Sequence, residues 1–120
     1  MLFMVVRNLA SFEDFESLKR LSFHGPVFLL KHSLTLPGSV RALDVFSEFA
    51  GSNTDVPCFL LKVQEARNVS DRVAVDCGVG HESPQVLLFV DGVVVWSASH
   101  NMISGGSLAN ALGEALKDKS

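Results

Sequence analysis

The chain has 120 residues, 48% of them hydrophobic and 19% charged, with a formal net charge of -3. That is enough for one domain with a real core, expected over residues 1–120, and too little for two. The composition excludes a disordered chain, the ten Lys and Arg residues form no basic stripe for a nucleic acid, and no apolar run approaches the roughly 18 residues that span a bilayer.

Residues 1–6 are apolar, but no basic residue precedes them and no small-residue cleavage site follows. They read as the start of a first strand over residues 3–7, not as a secretory leader. Ser11, with Asp14 three residues on, has the form of a helix start. Phe12, Phe15, Leu18 and Leu21 then give a helical stripe to about Phe23, and Gly25-Pro26 breaks it. Pro26-Val27-Phe28-Leu29-Leu30 is a continuous apolar run, as in a strand buried on both faces. Residues 31–39 are predicted to form a short polar loop. After it, Val40, Leu43, Phe46 and Phe49 recur as on one face of a helix ending near Ala50. Pro37 suits the first helical position, where no amide hydrogen is needed. That leaves Leu36 at the helix entrance. A capping side chain there stabilises a helix by about 1 kcal/mol, and leucine can accept no hydrogen bond.

A turn-rich segment at 51–55 leads to an apolar strand at 56–63, with Pro57 near its start. Residues 69–75 have helical character, opened by a cap at Asn68 or Ser70 and closed by Gly78. Val69, Val73 and Cys77 would face the sheet. Two strand-like runs, 86–90 and 93–97, are joined by Asp91-Gly92. That is the strongest hairpin signal a short sequence gives, so the two are predicted to pair antiparallel. Ser104 or Ser107 starts a last helix carrying Leu108, Ala111, Leu112, Ala115 and Leu116.

A βαβ half followed by a helix, a hairpin and a helix is the plan of the thioredoxin-like fold. The expected class is α/β, with a central mixed sheet of four to five strands, helices on both faces and right-handed crossovers. Likeness to that fold implies a cis peptide bond before Pro84, facing the helix entrance at Leu36. Ligands collect at such strand ends in open α/β sheets.

Three segments carry a closer likeness: Lys31-His32-Ser33, His81-Glu82-Ser83-Pro84-Gln85, and Trp96-Ser97-Ala98-Ser99-His100. Together they resemble the monothiol, bacilliredoxin-like family of the bacillithiol system, over almost the whole chain. The resemblance implies a small cytoplasmic protein whose relatives remove bacillithiol, a low-molecular-weight thiol, from mixed disulfides on proteins. It implies as partners a bacillithiol-type thiol or a bacillithiolated protein or peptide, with no cofactor. In the family a single cysteine attacks, in a Lys-His-Ser-x-x-Cys-Pro setting. Here Leu36 stands at that position. Exchange needs a thiolate, and a helix N-terminus helps a thiol ionise, but leucine has no lone pair to offer.

The remaining candidates are weighed on their surroundings. Cys58 lies within an apolar strand and Cys77 at a helix end, where the dipole raises a thiol's pKa. Both read as core residues. Two cysteines make no disulfide framework, and the four dispersed histidines make no metal site. Ser33, Thr35 and Ser39, with His32 as base, lack an acidic partner, and hydroxyls do not exchange disulfides. The expected binding set is His32, Ser33, Thr35, Leu36, Pro37, His81, Ser83, Pro84, Gln85 and His100, around a groove for a peptide or thiol. The backbone beside Pro84 is available for strand-like pairing with an extended segment. Three readings stay open: a binding module without a nucleophile, a redox enzyme using Cys77 or Cys58, and an adaptor in which Leu36 is an apolar knob.

Overall fold

In the computed structural model, residues 6–33 and 38–119 are described. The apolar run that begins at Pro26 becomes the centre of the sheet. Strand β2 (Val27–His32) is buried at every position. It pairs in parallel with β3 (Cys58–Lys62) and antiparallel with β4 (Gln85–Val90). Outside β3 lies β1 (Val6–Asn8), parallel to it, and outside β4 lies β5 (Val93–Ser99), antiparallel to it. The order is therefore β1-β3-β2-β4-β5, a mixed sheet of five strands, at the upper end of expectation.

Residue parity along β2 divides the core in two. Phe28 and Leu30 face α2 (Gly38–Ser52) and α4 (Gly105–Lys119), with Phe46, Leu108 and Leu112 packed on them. Val27 and Leu29 face α1 (Phe12–Leu21) and α3 (Arg67–Cys77), with Phe15, Leu18, Val69 and Val73 packed on them. Each such fully buried Leu or Phe side chain contributes about 1.5–3 kcal/mol relative to exposure.

Local chemistry sets the element ends. Ser11 Oγ accepts from the Asp14 amide at 3.0 Å, and the Asp14 carboxylate accepts from the Ser11 amide at 3.1 Å, closing the box that starts α1. Ser104 and Ser107 exchange two 3.0 Å bonds in the same way at the start of α4, which selects Ser104 over Ser107. Asp91 and Gly92, at φ 53° and 82°, form the hairpin turn. Strand β5 carries a bulge between the pairs Leu88–Trp96 and Phe89–Val94, which leaves Val95 unpaired in register.

Four expectations need correcting. The strand does not end at Leu30: its ladder continues through Lys31, opposite Gln85 and Leu61, and His32, opposite Lys62. Val40 is 65% exposed, because α2 turns Ser39, Ala42, Phe46, Phe49 and Ala50 inward instead. Helix α3 starts at Arg67 behind Ala66, whose side chain caps nothing; neither Asn68 nor Ser70 is the cap, and Ser70 is buried inside the helix. Leu116 is half exposed although it shares the stripe of Ala115. The expected stop at Gly78 holds: it takes the left-handed conformation at φ 66° that ends α3.

Candidate functional site

The peptide bond between Ser83 and Pro84 is cis. Pro84 lies against the start of α2, where a methyl group added at Gly38 would sit 4.0 Å from the proline Cδ. The helix entrance and the loop before β4 thus meet, although they are distant in sequence. Cross-ties hold them. The His100 amide donates to the Pro84 carbonyl at 3.1 Å. From the first turn of α2, Arg41 Nη2 donates to the carbonyls of His100 at 3.2 Å and Ile103 at 2.8 Å. His100 holds a positive φ of 52° in the 3-10 turn His100–Met102 that links β5 to α4.

Thr35, Leu36 and Pro37 lie outside the described residues. The flanks of that segment are pinned. The Ser33 amide donates to Ser39 Oγ at 3.3 Å, and Gln64 Nε2 donates to Ser33 Oγ at 2.7 Å. These contacts occupy the Ser33 and Ser39 hydroxyls in holding structure and give neither an acidic partner.

The polar end of β2 sends two side chains to opposite faces. Lys31 is fully buried on the α3 side, and burial pushes its pKa down, against the opposing effects of Cys77 and Asp71. Its Nζ lies 3.3 Å from His81 Nδ1, and Ser70 Oγ lies 3.5 Å from the same nitrogen. A lysine ammonium can only donate, so Nδ1 accepts and the neutral ring carries its hydrogen on Nε2. Burial first, and the Lys31 charge second, hold the His81 pKa below the usual imidazole value.

His32, 6% exposed, points to the α2 side. Neither ring nitrogen has a hydrogen-bond partner among the described residues. The Ser39 backbone approaches closely enough to favour the charged ring, but not in hydrogen-bonding geometry. Burial outweighs it and, with Lys62, lowers the imidazole pKa. Ser83 Oγ and Gln85 Oε1 are likewise buried without a partner among those residues. Such groups cost about 1–3 kcal/mol each when left unmade.

At the mouth, Glu82 accepts from Ser99 Oγ at 2.9 Å and pairs with His100 Nε2 at 3.4 Å. The Ser99 hydrogen bond, then His100, holds the Glu82 carboxyl below its ordinary pKa. The structure thus gathers His81, Ser83, Pro84, Gln85 and His100 at one end of the sheet. His32 stands at the same end on the α2 side, while Ser33 reaches α2 only through its amide and gives its hydroxyl to Gln64. Sequence reasoning missed Lys31 as a buried side chain, and it missed Gln64. Gln64 was findable, since it follows the end of β3, where ligand contacts collect in α/β sheets. No compositional signal marks a buried lysine.

Both cysteines are poor nucleophiles. Cys58 is buried, its thiol pushed up to about 12 by desolvation. Cys77 is also raised, by burial first and Asp76 second, which outweigh the charges of Lys19 and Lys31. Burial, rather than the helix dipole the sequence pointed to, is the leading cause. Among the described residues there is no cluster that could hold a metal, and no helix is long and apolar enough to cross a membrane.

This architecture, with a cis-proline against the start of α2, is that of the thioredoxin-fold proteins. The thioredoxins of Malassezia sympodialis and Fasciola hepatica share it, with TM-scores of 0.74 and 0.75 at 13% and 15% identity. They cover 92% and 91% of this chain, and 90% and 98% of their own. A thioredoxin-fold structure provisionally described as an oxidoreductase is nearer, with 39% identity and a TM-score of 0.84 over 92% of this chain and 96% of its own. The family model of the monothiol bacilliredoxin BrxC matches residues 7–108. The chain belongs to that family, the bacilliredoxin-type redox proteins of the thioredoxin fold.

Proposed function

We propose that this protein binds a bacillithiol-type thiol, or a bacillithiolated peptide, in the groove between the start of α2 and Pro84, without exchanging disulfides. The observation that carries it is the start of α2 at Gly38 lying close to Pro84, at the end of the sheet where buried polar atoms of Ser83, Gln85 and His32 have no partner among the described residues. Buried polar groups are otherwise almost always satisfied, and a site built for a ligand keeps them unmade until the ligand arrives. The absence of exchange rests on the sequence: Leu36 stands where the family's cysteine belongs, two positions before Gly38. The site residues are His32, Ser33, His81, Ser83, Pro84, Gln85 and His100, with Thr35, Leu36 and Pro37 between the pinned flanks. Redox chemistry at Cys58 or Cys77 is disfavoured by thiols held protonated.

The test is restoration. Leu36→Cys is expected to give a thiol that iodoacetamide alkylates at pH 6.5 well above the rate of free cysteine, while the wild-type protein stays unlabelled under native conditions. The variant should also take bacillithiol from a mixed-disulfide peptide that the wild type only binds. A slow, ordinary thiol at position 36 would defeat this reading. So would release of bacillithiol by the wild type, if Cys77→Ser abolished it.

A further inference from the structure

Lys31 is a buried cation without a counter-ion. The residue is 0% exposed, and no carboxylate lies within ion-pair distance of it among the described residues. What its ammonium meets is a histidine: Nζ lies 3.3 Å from His81 Nδ1, with Ser70 Oγ 3.5 Å from the same nitrogen. Lys31 is fixed, since its backbone pairs on both sides, with Leu61 of β3 and Gln85 of β4. His81 is exposed and stands in the loop between α3 and β4. Gly78 and Gly80 precede it, and a Cβ added at either would meet nothing within 4 Å. Two residues on, the loop becomes Ser83-Pro84, one wall of the proposed groove.

The pair has room for one charge only. With Lys31 charged and His81 neutral, Nδ1 accepts, and the loop is tied to the sheet. A proton on Nδ1 removes the acceptor and sets two cations 3.3 Å apart. The surrounding charges do not cancel this. Asp71 and Arg67 of α3 and Glu82 of the loop act on His81, and Cys77 and Asp71 of α3 act on Lys31. Burial and Lys31 oppose the charged ring, Arg67 adds to them, and Asp71 and Glu82 only partly offset the three. A buried strand cannot yield, so the ring takes up its proton by leaving Lys31 for solvent, and the loop moves with it.

We propose that the Lys31–His81 contact is a pH-sensitive latch on the ligand groove: neutral His81 holds the loop before Pro84 to the sheet, and protonation releases the loop and lowers affinity for the thiol or peptide. The inference rests on the groove reading above and adds its regulation. The groove is competent at neutral pH and weakens as pH falls through the folded-state value of His81, which lies below 6.5. The linkage is reciprocal, so bound ligand makes the ring harder to protonate by the same factor.

Titration calorimetry on the full chain reads the latch as a ratio of affinities at pH 8 and pH 5, with an acetylated, amidated octapeptide carrying a bacillithiol mixed disulfide. The wild type is expected to bind about tenfold more weakly at pH 5, a coupling of ordinary size. Lys31→Met keeps an apolar stem and removes the second cation, and should bring the ratio to about twofold or less. The other histidines are common to both chains, so the comparison isolates His81. A merely structural lysine would shift affinity at both pH values and leave the ratio as it was, and that result overturns the proposal. His81→Gln spares the core and should flatten the ratio in the same way; a ratio preserved there, or equal affinities in the wild type, also overturns it. If the peptide binds at neither pH, the groove reading falls and the ligand-free chain decides the latch by NMR. The amide resonances of residues 79–83 should then move with the His81 ring as it protonates, and in Lys31→Met they should not. Loop resonances that stay still while the wild-type ring titrates overturn the latch.

Discussion

The two ends of the β2–β4 ladder are built on opposite principles. From Val27 to Leu30, paired with Val86 to Phe89, every side chain is apolar and buried between two helical layers. One step further, Lys31 faces Gln85, His32 follows, and buried polar atoms have no partner among the described residues. The same strands, with the same hydrogen-bond pattern, carry a fully satisfied core at one end and an unsatisfied one at the other. Evenly apolar packing maximises stability, whereas polar groups kept buried and unmade cost stability and are expected where a site sits. That difference is the ground on which the proposed site is placed at the polar end, without reference to any nucleophile.

The comparison breaks most heavily at its apolar end. Phe46→Ala empties a fully buried site between α2 and the sheet, and should cost about 3–5 kcal/mol in urea unfolding. A loss under 1 kcal/mol would mean that the two ends differ less than their packing says. Between the ends, Ser11→Ala removes the hydroxyl that accepts from Asp14 and should cost about 1 kcal/mol, measured the same way.

At the polar end the sign reverses. His32→Leu replaces an imidazole that has no partner, and should raise stability by up to about 1 kcal/mol while weakening ligand binding. A clear loss of stability would show that the ring is satisfied after all. The smallest effect concerns pH. His32 and His81 both have folded pKa values depressed below 6.5, chiefly by burial. Between the depressed value and 6.5 the unfolded chain binds more protons, so stability is full above pH 6.5 and declines as pH falls below it. Urea midpoints at pH 8 and 5.5 should differ in that direction, and His32→Leu should flatten the difference. An unchanged slope in that variant would assign the effect to His81 alone.

Much of this contrast was legible in the chain. The run from Pro26 to Leu30 announced a buried strand, Ser11 with Asp14 announced a helix start, and Asp91-Gly92 announced the hairpin, because each is a local choice with few structural alternatives. Pro84 was legible through likeness to a fold, and the structure brings it against Gly38. What escaped was non-local. Nothing in Lys31 itself says that it continues a strand; the pairing with Gln85 and Leu61, far away in sequence, decides that. Val40 shares the spacing of Phe46 and Phe49 yet points outward, because the face that α2 buries is set by where the sheet lies. The site histidines were legible as polar residues at strand ends, but not the layer each would serve, since a one-residue change in strand length moves a side chain to the other face.

The margins of the sheet have their own consequence. On the far side from β1, the Val95 bulge interrupts the outermost strand β5. A second chain trying to add a ribbon along β5 meets a misaligned set of rungs. The exposed valines at 93 and 95 thus lie on an edge whose ladder is broken between them and the rest of the strand.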